Sequence, residues 1–241
     1  MLDAYELERY ERQIRVLGEK GQEKLKAARV FVAGTGGLGS SVALYLAVAG
    51  IGSLTIADND VVELSNLNRQ ILHWDRDVGE SKVQSAYEKL SQINPRVDLK
   101  VLNETIGEDN VSRLIGDTDA VVDALDNFQT RYILNKAGLR RGIPLFHGAV
   151  HGFNGQVATM IPRETACLRC IFPSAPQPQT FPVIGATAGI IGAIQATEVI
   201  KYFTGTGELL VNKLLFYDGE RMEFYRIDVQ VNPRCPDCGV H

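Results

Sequence analysis

Up to His147 the chain alternates short apolar runs with longer stretches whose apolar residues recur at helical spacing. The first stretch, Leu2 to Leu17, is charged and predicts one or two short exposed helices. Arg29-Val30-Phe31-Val32-Ala33 predicts a strand that runs into Gly34-Thr35-Gly36-Gly37-Leu38-Gly39. Small and apolar residues from Ser40 to Ala49 predict a buried helix, and Ser53 to Asp58 a second strand. Strand, glycine turn, helix and strand make a βαβ unit, because parallel strands need a crossover. The alternation continues with a helix over Lys82–Ile93, ended by Asn94-Pro95, and strands over Val97–Leu102 and Ala120–Ala124. A helix over Phe128–Arg141 and a short strand from Pro144 to Phe146 follow. The expected fold class is α/β, a doubly wound and mainly parallel Rossmann-like sheet.

After His147 the pattern changes. Gly155 to Ile161 and Lys213 to Val231 read as strands, the latter as a hairpin around Asp218-Gly219, which predicts an additional C-terminal antiparallel sheet. Phe172–Pro182 holds four prolines in eleven residues, so it cannot be regular structure and is expected to be a mobile loop. Val183 to Ile200 is the most apolar region, but Gly185, Gly189, Gly192, Gln195 and Glu198 interrupt it, which fits a buried helix better than a bilayer helix. With no internal repeat and no long linker, one domain over 1–241 is expected, its nucleotide-binding half ending near 146 and its remaining half spanning about 147–241.

Composition narrows the classes. Hydrophobic content of 45% and charged content of 22% are those of a soluble globular protein, and a net charge of −4 gives no global reason to expect nucleic acid as partner. Asp3, Glu6, Glu8 and Glu11 exclude a signal peptide. All four cysteines fall in two pairs, Cys167-Leu-Arg-Cys170 and Cys235-Pro-Asp-Cys238. Two such pairs with none left over read as a Cys₄ zinc site. Two redox pairs or four unrelated core thiols are the alternatives. Four thiolates fill the coordination sphere, so this zinc would be structural and would pin the tail, Asn232 to His241, to the middle of the chain. Zinc-spaced thiols without a secretion signal lead to the expectation of a reducing cytoplasm.

The chemistry is expected around the glycine turn. Gly34, Gly36 and Gly39 match G-x-G-x-x-G between a strand and a helix, a backbone that can approach a phosphate under free helix N–H groups. Asp58, nineteen residues after Gly39, can accept hydrogen bonds from ribose hydroxyls. This fingerprint alone does not separate NAD from ATP. The segment Asp58 to Gln70, with Asp60, Ser65, Asn66, Asn68 and Arg69, is dense in hydrogen-bonding groups. Arg69 offers a planar fork for phosphate oxygens and Lys82 a point charge. Asp126-Asn127 ends a strand, and a carboxylate there can hold Mg²⁺ with phosphate oxygens. The plainer alternative makes Arg69 and Lys82 solvated surface charges and Asp126 the cap of the next helix.

Arg9-Tyr10-Glu11-Arg12-Gln13-Ile14, Gly34 to Gly39, Ser65-Asn-Leu-Asn-Arg-Gln70, Asp126-Asn127 and the two cysteine pairs occur in the order found in the MoeB/ThiF/HesA family. The chain resembles these ubiquitin-activating-enzyme-like adenylyltransferases over nearly its whole length. The resemblance implies a homodimer that binds Mg-ATP and adenylates the C-terminal glycine of a small ubiquitin-like sulfur-carrier protein ending in Gly-Gly. It implies that Gly37 belongs to the phosphate turn and that Asp58 binds ribose. Ser65, Asn66, Asn68 and Arg69 would line the phosphate site, Lys82 would contact phosphate and Asp126 would position Mg²⁺. Arg12 would reach the triphosphate from the partner subunit.

Two departures shape the expected mechanism. Many relatives carry a cysteine in the Pro-rich loop, whereas Ser174 to Pro182 has none, so the expected product is an acyl-adenylate, with sulfur from a separate donor. Only three residues follow Cys238, so a fused sulfur-donating rhodanese domain is not expected. Other classes remain: an NAD-dependent oxidoreductase, for which His73, His147 and His151 qualify only by residue type, a non-catalytic adaptor, and an activator of another acceptor such as a modified tRNA base.

Overall fold

The computed structural model describes residues 1–175 and 181–239. Two N-terminal helices, α1 (Ala4–Arg9) and α2 (Glu11–Ala27), precede β1 (Arg29–Ala33), α3 (Gly37–Ala49) and β2 (Ser53–Ala57). Next come α4 (Lys82–Ile93), β3 (Asp98–Leu102), α5 (Val111–Ile115), β4 (Ala120–Asp123) and α6 (Phe128–Arg141). The second half contributes β5 (Leu145–His151), β6 (Asn154–Met160), α7 (Leu168–Ile171), α8 (Gly185–Thr204), β7 (Lys213–Asp218) and β8 (Glu223–Asp228). The strands form one sheet in the order β3-β2-β1-β4-β5-β6-β7-β8. Pairing is parallel from β3 to β5 and antiparallel from β5 to β8, so the C-terminal strands continue the parallel core edge to edge.

Strand periodicity explains the two-sided core. Val30 and Val32 of β1 point into one apolar cluster with Leu46, Ile56 and Ile191, while Phe31 and Ala33 point into the other with Val121 and Leu134. Both faces of the parallel region are covered by helices, as its uninterrupted apolar strands require. β8 is different: all six of its residues are exposed, and it is one edge of the sheet.

Three elements depart from the pattern reading. Helical structure at the N-terminus runs to Ala27 beyond a kink at Gly18, because Gln22 and Leu25 are buried and Gln22 Nε2 donates to the Ala49 carbonyl. The helix expected from Ser40 begins at Gly37, so part of the glycine turn is its first turn. β5 is longer than Pro144 to Phe146 because β6 pairs with it out to His151↔Asn154. Within Phe172–Pro182, residues 172–175 and 181–182 have no helix or strand, and 176–180 lie outside the described residues. No described helix is long and apolar enough to cross a membrane.

Candidate active site

The strand order reverses between β1 and β4, and a cleft of about 1220 Å³ opens beyond the C-terminal ends of these strands. Such a switch point is where open α/β sheets receive ligands. The glycines of the turn have unequal duties. Gly34 has φ +94°, and a Cβ on Gly39 would lie 1.9 Å from the Gly34 carbonyl oxygen, so Gly39 is needed for helix α3 to meet the strand end. A Cβ on Gly36 would meet nothing nearer than Gln70 Nε2 at 3.8 Å, and it would project into the cleft. Helix α3 has no side-chain cap and no acidic residue in its first turn. Its leading residues Gly37 and Leu38 line the cleft, an arrangement suited to an anion.

Asp58 is held at the end of β2 by three donors. Its Oδ2 accepts from the Thr35 amide at 2.7 Å and the Thr35 hydroxyl at 2.9 Å, and its Oδ1 from the Asp60 amide at 2.9 Å. The remaining lone pairs suit a ribose diol. Lys82, at the start of α4, is only 6% exposed and donates to Asp60 Oδ2 at 2.7 Å, which sets aside its reading as a solvated charge. Arg69 Nη1 donates to the Ser65 carbonyl at 2.8 Å and to Asn68 Oδ1 at 3.1 Å, and no carboxylate pairs with it among the described residues. Asn66 is buried and accepts from the Glu63 amide; Ser65 donates to Glu63 Oε2. Gln70 is buried at the cleft wall, and its Oε1 has no partner among the described residues. Asn127, not Asp126, caps α6, accepting from the Thr130 amide at 2.9 Å. Among the described residues the exposed Asp126 carboxylate accepts only a 3.5 Å contact from Asn127 Nδ2, which leaves it available in the cleft. Every residue expected to bind nucleotide lines this cleft except Gly39, which packs behind it. Arg12 lies on an exposed face of α2, away from the cleft of its own chain.

The donor set fits a nucleoside triphosphate: free helix amides, two cationic side chains and a ribose-type carboxylate. A single free carboxylate beside a phosphate site also fits Mg²⁺, which takes few protein ligands and completes its shell with phosphate and water.

Sequence reasoning missed the support under Asp126. Asp123 accepts from His147 Nδ1 at 2.7 Å, and both are fully buried. Arg131 lies 3.4 Å from Asp123 Oδ2 and donates to the Leu125 and Gly148 carbonyls, so it holds the loop that carries Asp126. Burial alone would raise the Asp123 carboxyl, but the Arg131 charge and the His147 hydrogen bond hold it below the usual carboxylate range. Burial lowers His147 despite Asp123. A carboxylate ending the otherwise apolar strand Ala120-Val-Val-Asp123 was the available signal.

The four cysteines converge as expected. Cys167 caps the start of α7, Cys170 lies within it, and Cys235 and Cys238 come from the tail turns after β8. Their sulfurs lie within 4.8 Å of one another, at 3.9 Å for Cys167–Cys170, 3.6 Å for Cys167–Cys235 and 3.4 Å for Cys170–Cys238. Zn–S bonds of about 2.3 Å give tetrahedral S···S edges of about 3.8 Å. The Asn232 amide donates to Cys170 Sγ at 3.3 Å. Burial pushes the Cys167 thiol up to about 11 and raises Cys238 as well, whereas at Cys235 burial is outweighed by backbone hydrogen bonds from Cys238 and Asp237, which lower it; a bound cation would favour the thiolate forms. Asn135 of α6 ties both arms, accepting from the Leu168 amide and donating to Asp237 Oδ2 at 2.9 Å.

A glycine turn at a switch point, with a carboxylate at the next strand end and two cations lining the same cleft, is the arrangement of a nucleotide-binding doubly wound α/β protein. The chain belongs to the ThiF family, whose model matches residues 10–240, as the order of its motifs led us to expect. It is 45% identical to the SAMP-activating enzyme E1 of Haloferax volcanii, over 99% of this chain and 91% of that protein. It is 40% identical to the sulfur carrier protein adenylyltransferase of Thermus thermophilus, over 97% of this chain and 91% of that protein. Among solved structures, E. coli MccB with MccA-N7isoASN superposes with a TM-score of 0.88 at 24% identity, over 96% of this chain and 75% of that one, a likeness of fold.

Proposed function

We propose that this protein is an ATP-dependent adenylyltransferase that activates the C-terminal glycine carboxylate of a small ubiquitin-like sulfur-carrier protein as an acyl-adenylate, releasing pyrophosphate. One observation carries the reading: the uncapped start of α3, Arg69, Lys82 and the free Asp126 carboxylate share one cleft. The names of the relatives in Haloferax volcanii and Thermus thermophilus support the same class. A carboxylate is already a nucleophile, so the site needs positioning and charge neutralisation more than a base. The amides of α3 and the Arg69 fork orient the phosphates, Lys82 exchanges its Asp60 partner for phosphate oxygen, and Asp58 orients the ribose. Mg²⁺ held at Asp126 supplies further charge neutralisation when bound.

The same reading includes a homodimer in which Arg12 of each subunit reaches the other's triphosphate, a structural zinc on the four cysteines, a separate sulfur donor and a cytoplasmic setting. Residues 1–241 would act as a single adenylation domain. An oxidoreductase would leave Arg69, Lys82 and Asp126 without a task, and His73 and His147 are buried inside side-chain networks.

ATP–pyrophosphate exchange tests the proposal, with Mg²⁺ and a panel of small ubiquitin-like proteins ending in Gly-Gly. The expected result is exchange with one carrier, lost when its terminal glycine is removed. Asp126→Ala should fold normally and exchange about 100-fold or more slowly. Full exchange by that variant refutes the role of Asp126. Tight ATP binding without exchange on any carrier refutes the carrier and points to another acceptor, such as a modified tRNA base.

A further inference from the structure

A polar network beneath the glycine turn is used by none of the roles above. His73, Ser85, Asp77 and Lys89 are each more than nine-tenths buried. Lys89 Nζ donates to the Asp77 carboxylate and to Ser85 Oγ at 2.9 Å. Ser85 Oγ lies 2.9 Å from Asp77 Oδ2 and 2.8 Å from His73 Nδ1. The other ring nitrogen, His73 Nε2, is 3.2 Å from the Thr35 carbonyl oxygen. A carbonyl only accepts, so Nε2 carries the proton. Burial holds the imidazole below its ordinary value, and the Lys82 and Lys89 charges act in the same direction. The ring is therefore neutral, and the single Ser85 hydroxyl proton is shared by two acceptors, Nδ1 and Asp77 Oδ2. Ser40 Oγ donates to the same Thr35 carbonyl at 3.1 Å.

Thr35 is the hinge of the arrangement. It is fully buried, its carbonyl is gripped by His73 and Ser40, and its amide and hydroxyl both point at Asp58 Oδ2. The carbonyl lies on the peptide that follows the Thr35 Cα and the amide on the peptide that precedes it, so fixing the carbonyl restrains the backbone torsions on which the amide and hydroxyl depend to reach the carboxylate. Burying a cation, a carboxylate and an imidazole costs desolvation that an apolar plug of similar volume would avoid. Such a network fixes geometry, and here its last donor ends in the turn that aims Asp58.

We propose that His73 is a positioning residue for ribose recognition: by holding Thr35, it sets the Asp58 carboxylate to receive ribose hydroxyls and so lets the chain select ribonucleotides over deoxyribonucleotides. The inference rests on the assignment of Asp58 to the ribose of a bound nucleoside triphosphate. His73 touches no ligand and acts only through the backbone.

Calorimetric binding of ATP, 2′-deoxyATP and 3′-deoxyATP to the full chain separates the two claims. Wild type should prefer ATP over at least one deoxy analogue by about tenfold, and Asp58→Asn should erase that preference. His73→Phe, which keeps ring volume and removes both nitrogens, should lower the preference about threefold to tenfold by weakening ATP alone. His73→Gln, whose amide N–H reaches close to the place of Nε2, should restore it. Thr35→Val removes the hydroxyl donor with little change of shape, and it should lower the same ratio even if His73→Phe does not fold. A preference lost in Asp58→Asn but unchanged in His73→Phe, or in Thr35→Val where the former is unfolded, overturns the role of His73 alone. Equal weakening of all three nucleotides marks a merely structural effect and overturns it too. No preference in wild type, or none lost in Asp58→Asn, removes the ribose assignment and the inference with it.

Discussion

Gly36 and Gly39 sit three residues apart in one turn, yet the space around them differs in kind. A methyl on Gly39 collides with the Gly34 carbonyl at 1.9 Å, whereas a methyl on Gly36 meets only cleft. Gly39→Ala should therefore fail to fold or melt far below wild type. Gly36→Ala should cost about 1 kcal/mol, the usual difference at a helix N-cap, and weaken ATP about tenfold by filling phosphate space. Melting curves and nucleotide titrations of the two variants check this; unchanged ATP affinity in Gly36→Ala would mean that phosphate does not lie there. At this scale the sequence brought forward Asp58, Lys82 and Asp126, because Asp58 and Asp126 follow strand ends and Lys82 begins a helix, whereas Arg69 stood out by its residue type within a polar segment and by the family motif. It did not distinguish capping from availability at Asp126-Asn127, since either side chain can cap and only the backbone direction selects Asn127. Nor did it reveal that Lys82 is buried, which depends on what packs over α4.

The short elements show where periodicity loses force. Five residues in α5 and four in α7 are fewer than two helical turns, too few for a repeat of 3.6 to declare itself. α7 nevertheless has a defined task, because it presents Cys167 and Cys170 to the tail while Asn135 and Asp237 lock the two arms together. Metal analysis should find about one zinc per chain, as a single four-thiolate site requires. Cys235→Ser should lose that metal and lower the melting temperature. Asn135→Ala should cost about 1–3 kcal/mol by leaving Asp237 and the Leu168 amide short of a partner, with the metal retained. Full metal content and wild-type stability in Cys235→Ser would refute a four-cysteine site. The cysteine spacing by itself pointed to this cluster, whereas the Asn135 bridge joins positions 102 residues apart and carries no local signal.

For the molecule as a whole, buried histidines tie stability to pH. His147 is fully buried and held below the ordinary imidazole value, and His73 is lowered in the same direction. As pH falls through about 6.5 the unfolded chain takes up protons that the folded chain refuses, so these groups contribute stability above that pH and lose it on acidification. The slope from His147 alone reaches at most about 1.4 kcal/mol per pH unit. Urea unfolding from pH 8 to pH 5 should show a falling midpoint, with a shallower fall in His147→Gln; identical slopes would refute the contribution. The sequence by itself determined the alternation of strands and helices, the glycine turn between β1 and α3, the carboxylate after β2 and the cysteine pairs, since these depend on periodicity and short spacing. Only the tertiary structure decided that the antiparallel strands extend the same sheet, that Asp123, Arg131 and His147 brace the Asp126 loop, and that His73 reaches Thr35. Those contacts join residues far apart in the chain, and the burial that gives them their charge states exists only once the sheet has brought its layers together.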